Sequence, residues 1–88
     1  MQTLTDAERN LLQAIASGRT LKSHRYVDGT KVYQLHSLDG SIEEIASEIV
    51  QSLNNRHLID DNKKFPAATY WLTEDGQRWI DHYSGHDR

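Results

Sequence analysis

The dipeptide Asp28-Gly29, set between the β-rich flanks "LKSHRY" and "TKVYQLH", constrains this chain more than any other feature. Asp and Gly both accept the positive φ of a tight turn, so the segment 21–37 reads as a β-hairpin. A two-residue turn pairs Val27 with Thr30, and the register runs outward from there. One face then carries Leu21, Arg25, Val27, Val32 and Gln34. The other carries Lys22, His24, Tyr26, Lys31, Tyr33 and Leu35. Neither face is cleanly apolar, so the ribbon is expected to project partly from the body.

Helices are expected on either side of it. In "LTDAERNLLQAIASG", Thr5 and Glu8 form a capping box, and Ala7, Leu11, Leu12 and Ile15 share one helical face. Gly18 is the natural stop. In "DGSIEEIASEIVQSLNNRHLI", Ser41 and Glu44 suggest a second capping box. Ile42, Ile45, Ala46, Ile49, Val50 and Leu53 recur at the spacing of one buried stripe, which predicts a helix over 42–54 ended by Asn54-Asn55. A strand at 57–60, a polar turn through "DNKKFP" and a strand at 67–72 follow. A last helix is N-capped by Thr73, with Glu74 and Asp75 at its positive end and Trp79, Ile80 and Tyr83 turned inward. The expected domain spans 1–83, with 84–88 as a flexible tail.

With 88 residues, 36% of them hydrophobic, the core is thin, and dimerisation would remedy that. No apolar run approaches a membrane span, the N-terminus lacks the form of a signal peptide, and there is no Cys. Cytoplasmic residence is the expectation. A net charge of -3 argues against a general nucleic-acid coat protein and makes the distribution of charge decisive. No Gly-rich phosphate loop or nucleophile motif is present, so neither an enzyme nor a cofactor is expected. His82 and His86 have i, i+4 spacing, but Gly85 interrupts them and no further ligand completes a metal site.

The stretch "ASEIVQSLNNRHLIDD…ATYWLTEDGQRWI" resembles the recognition-helix-plus-wing segment of bacterial winged-helix regulators. It covers about the last half of the chain. That resemblance implies an α+β, winged helix-like fold: three helices, an N-terminal β-hairpin and a C-terminal β-hairpin wing. It also implies a DNA-binding regulator of transcription. The first half departs from that pattern, with a hairpin where a second short helix would stand. "LTDAERNLLQAIASGRTLKSHRYVDGTKVYQLHSLDG" is similar instead to the start of the small YjhX-type toxin family, which implies inhibition of a DNA topoisomerase.

Candidate contacts to double-stranded DNA come from three places. The hairpin offers Arg19, Lys22, His24, Arg25, Tyr26, Lys31 and Tyr33, a basic segment interleaved with aromatic rings. The end of helix 42–54 offers Gln51, Asn54, Asn55 and Arg56, and the wing tip offers Lys63 and Lys64. The exposed carboxylates Glu43, Glu44 and Glu48 would oppose phosphates, and they favour a different partner. The competing expectation is a protein-interaction module that uses those acids and Trp71, such as a toxin-like inhibitor of a DNA-processing enzyme.

Overall fold

The computed structural model describes residues 4–84, with side chains described through His82. The chain runs α1 (Asp6–Ala16), β1 (Thr20–Arg25), β2 (Lys31–His36), β3 (Ile42–Ile45), α2 (Ser47–Asn55), β4 (Ile59–Asp61), β5 (Ala67–Leu72) and α3 (Glu74–Ser84). The expected side-chain placement of Tyr83, the tail beyond Ser84 and the His82–His86 pair lie outside the described residues.

All five strands join one antiparallel sheet in the order β3-β2-β1-β5-β4. The α+β class and the three helices agree with expectation, but the winged-helix arrangement does not. Pairing of β1 with β5, Leu21 opposite Tyr70 and Ser23 opposite Ala68, merges the two expected hairpins into a single sheet. The segment Ile42–Ile45 is a strand rather than the first turn of a helix, so α2 is only nine residues long.

The cause lies in a second Asp-Gly turn. In the first, Tyr26 N–H donates to Thr30 O (2.8 Å) and Gly29 N–H to Tyr26 O (2.9 Å). In the second, Ser37 N–H donates to Ser41 O (2.9 Å) and Gly40 N–H to Ser37 O (3.0 Å). Asp28 and Asp39 each accept a bond from the backbone N–H two residues on, at Thr30 and Ser41. Both are three-residue loops closed by a Gly at positive φ, 93° and 92°. Ser41 is therefore committed to Asp39 through its N–H and its hydroxyl, and the predicted Ser41–Glu44 capping box does not form. Ala46 takes the N-cap position of α2 with no side-chain bond.

The three-residue loop also moves the hairpin register by one. Leu21 lies opposite Leu35, Ser23 opposite Tyr33 and Arg25 opposite Lys31. Because side chains alternate, a slip of one residue transfers half the ribbon to the other face. Leu21, Tyr33, Leu35, Ala68, Tyr70 and Ile59 now line the face that the helices cover. They join Leu11, Leu12, Val50, Leu53, Leu58 and Ile80 in one core. Among the described residues no helix covers the opposite face of the sheet, and the ribbon is an integral part of the sheet rather than a projection.

Helix ends follow local chemistry. The Thr5–Glu8 capping box is present, with Thr5 N–H to Glu8 Oε1 at 2.9 Å and Glu8 N–H to Thr5 Oγ1 at 3.1 Å. Gly18 closes α1 with Arg19 N–H bonded to Ala14 O and Gly18 N–H to Ile15 O. His57 closes α2 in the same way at φ 62°, with Leu58 N–H on Leu53 O and His57 N–H on Asn54 O. The helix ends at Asn55, as Asn54-Asn55 predicts, and β4 begins two residues later than expected.

At the other junction Thr73 Oγ1 accepts from Gly76 N–H (3.0 Å) and donates to His57 O (2.6 Å), confirming Thr73 as the cap. Gly76 is buried, and the first turn of α3 lies directly on the carbonyl of Leu58. Ile80 is core and Trp79 is half-buried against it.

Candidate nucleic-acid interface

One backbone bond assembles the site. Arg25 N–H donates to Pro66 O at 2.8 Å, which ties the end of β1 to the loop between β4 and β5. Two basic pairs distant in sequence, Arg25 with Lys31 and Lys63 with Lys64, therefore line one open cleft of about 270 Å³. Ser23 and Ala68 are in its lining, and Phe65 and Pro66 belong to its wall. Asp61 is the one carboxylate in that lining.

Local structure holds the cations in different states. Arg25 Nη1 donates to Gly29 O at 3.0 Å, so its guanidinium braces its own turn. The Lys31 ammonium stands 5.4 Å from the Tyr33 ring centroid, a cation–π contact. Lys63, at φ 55°, reaches Asp61 at 3.3 Å and Asp60 at 3.4 Å. Its bond to Asp61 and the charge of that group raise its pKa above the ordinary lysine value. Among the described residues no carboxylate forms an ion pair with Arg25, Lys31 or Lys64. Asn62 Oδ1 shapes the loop by accepting from Lys64 N–H and Thr69 N–H, both at 3.2 Å. The Phe65–Pro66 bond is cis, and the Phe65 ring is 76% exposed.

The expected face of Lys22, His24, Tyr26, Lys31 and Tyr33 is divided by the register shift. Tyr33 is buried, edge-on to Tyr70 with centroids 6.0 Å apart, and is no base-stacking platform. Burial, with the neighbouring Tyr33 and Asp61, pushes the Tyr70 phenol up to about 12. Lys22, His24 and Tyr26 lie on the helix-free face, where the His24 and Tyr26 rings meet edge-to-face at 4.7 Å. Trp71 shares that face, opposite Asp60, and is 43% exposed. Arg19 stands apart, beyond the end of α1.

The α2 candidates are also separated. Gln51, Asn54 and Asn55 are exposed but do not line the cleft. Arg56 is half-buried, and its charge contributes to the lowered pKa of the buried Glu8, which is caused mainly by a bond from the Ser52 hydroxyl and the Thr5 backbone. Glu43 and Glu44 are on β3 rather than on a helix, and only Glu48 belongs to α2.

Phe65, Pro66 and the meeting of the two loops escaped the sequence reading, because β1–β5 pairing has no short-range signal. The β3 edge did have one: the second Asp-Gly, at 39–40, repeats the first.

No helix is long and apolar enough to cross a membrane, and no group of three or more metal-ligating side chains occurs among the described residues. No family model, curated protein or solved structure matches the chain.

Proposed function

We propose that this domain binds double-stranded DNA in the cytoplasm by gripping the phosphate backbone at the cleft of Arg25, Lys31, Lys63 and Lys64. The observation that supports it is the convergence of four cations from two loops beside an exposed aromatic ring. Phosphate contacts of this kind position a protein on the duplex and are independent of sequence. The reading needs no recognition helix, and α2, short and packed against α1, β2 and β4, is not assigned that role.

The test is fluorescence anisotropy with a mixed-sequence duplex at 50 and 200 mM salt. Three effective phosphate contacts, with Lys63 discounted for its acids, give a log–log slope of about -2.7, or about a 40-fold loss of affinity over that range. Lys31→Ala with Lys64→Ala leaves one contact and a slope of about -0.9. Absence of binding at 50 mM salt, or an unchanged slope in the double variant, refutes the reading.

A second reading, a protein-interaction module such as a toxin-like inhibitor of a DNA-processing enzyme, is favoured by the unpaired edge of β3.

A further inference from the structure

The strand β3 ends the sheet, with β2 on one side and, among the described residues, no strand on the other. Ser37 and Ser41 form a hydrogen-bonded pair, and pairing alternates along an antiparallel ladder. Glu43 and Ile45 accordingly bond inward to Leu35 and Tyr33, while the backbone groups of Ile42 and Glu44 face outward. Beside this edge, α1 and the start of α2 leave a groove of about 280 Å³. Its lining includes Ala7, Leu11, Ala14, Ile45 and Ile49, with two carboxylates, Glu43 and Glu44, and one cation, Arg19. Ala7 and Ala14 keep it open because neither side chain reaches across.

We infer that this edge and groove form a docking site for an extended basic peptide, which adds as a sixth strand against β3. Three observations identify the occupant. The free backbone of Ile42 and Glu44 demands an extended segment, since only a strand presents matching donors and acceptors at that spacing. The groove accepts apolar side chains from one face of that strand. Glu44 on the helix-free side calls for lysine or arginine on the other face, while the exposed Glu43 and Glu48 on the groove side outweigh the cation Arg19 in its lining. Apolar and basic residues in alternation satisfy both.

A second copy of this chain fits poorly. Self-pairing would set the β3 carboxylates against one another, and the other sheet edge, β4, carries Asp60 and Asp61. Like charges across strands are destabilising, and acidic edges oppose self-extension. The site shares no lining residue with the basic cleft, so it is independent of the DNA reading.

The probe is a fluorescein-labelled eight-residue peptide alternating lysine with valine or leucine, titrated into the full chain by anisotropy at low salt. A counterpart carrying N-methyl groups on alternate residues keeps every charge but cannot pair as a strand. Binding is expected in the micromolar range, and at least tenfold weaker for the N-methylated peptide. Combined Glu43→Lys and Glu44→Lys should weaken it at least tenfold as well. Ile42→Pro, which removes one outward N–H and no charge, should do the same while circular dichroism stays native. Equal binding of the N-methylated peptide overturns strand addition, leaving nonspecific charge attraction. Indifference to the two Glu→Lys changes, or no binding at millimolar peptide, overturns the site.

Discussion

Gly76→Ala separates local propensity from tertiary packing, because the two predict opposite signs. Inside an isolated helix, alanine is better than glycine by about 0.8–1 kcal/mol. In this fold a Cβ on Gly76 would lie 2.1 Å from the Leu58 carbonyl oxygen and 3.1 Å from its carbon. The oxygen is backbone at the entry to β4, so it cannot swing aside. Relief requires α3 to withdraw by about 1 Å, and overpacking of this kind costs about 1–3 kcal/mol. Withdrawal also stretches the bonds from Thr73 N–H to Leu58 O and from Thr73 Oγ1 to His57 O, each worth about 1 kcal/mol. Against the propensity gain, the net expected loss is about 2–4 kcal/mol. For a domain of this size that lowers Tm by about 8–20 °C. Urea denaturation followed by tryptophan fluorescence, with Trp79 half-buried at the site, measures it. A variant as stable as the parent, or more stable, would show that α3 does not rest on Leu58.

Three other outcomes are expected. His57→Gly should stabilise the domain by about 0.5–1 kcal/mol in the same assay, since His57 holds a left-handed conformation that glycine adopts without steric cost. Glu8→Gln should cost about 1 kcal/mol at neutral pH. The folded Glu8 carboxyl titrates below its ordinary 4.5, so its contribution is present above that value and vanishes as pH falls through the folded pKa. Parent and variant melting curves should therefore converge in acid. Tyr70 remains protonated in the fold to about 12, whereas an unfolded tyrosine ionises near 10. Stability should fall as pH rises between those values, and absorbance at 295 nm should show one phenol titrating late, together with unfolding.

Local signals in the sequence suffice where the chemistry is complete within a few residues. The Thr5–Glu8 box, the Gly18 stop and the Thr73 cap each need only a side chain and a nearby backbone group. They do not suffice where two local signals compete. Ile42, Ile45 and Ile49 have helical spacing, yet Ile42–Ile45 also reads as a short strand after Asp39-Gly40. Tertiary pairing chose the strand, because β2 offers Leu35 and Tyr33 as partners and satisfies the backbone of Glu43 and Ile45. The same turn chemistry, counted as a loop of three rather than two, placed Lys31 and Tyr33 on the core side.

Short-range signals, then, carry the three helices, the α+β class, the Asp28-Gly29 turn and the basic character of residues 19–31. Only the tertiary structure decided which residues share a site. Arg25 and Lys63 are separated by a helix and three strand segments along the chain, and it is the β1–β5 ladder that places their loops side by side. Such pairing depends on backbone groups that every residue carries, so no side chain in either segment announces its partner. It is won by the joint burial of Leu21, Tyr33, Ala68 and Tyr70 under the helices, an energy that exists only once the whole sheet has formed.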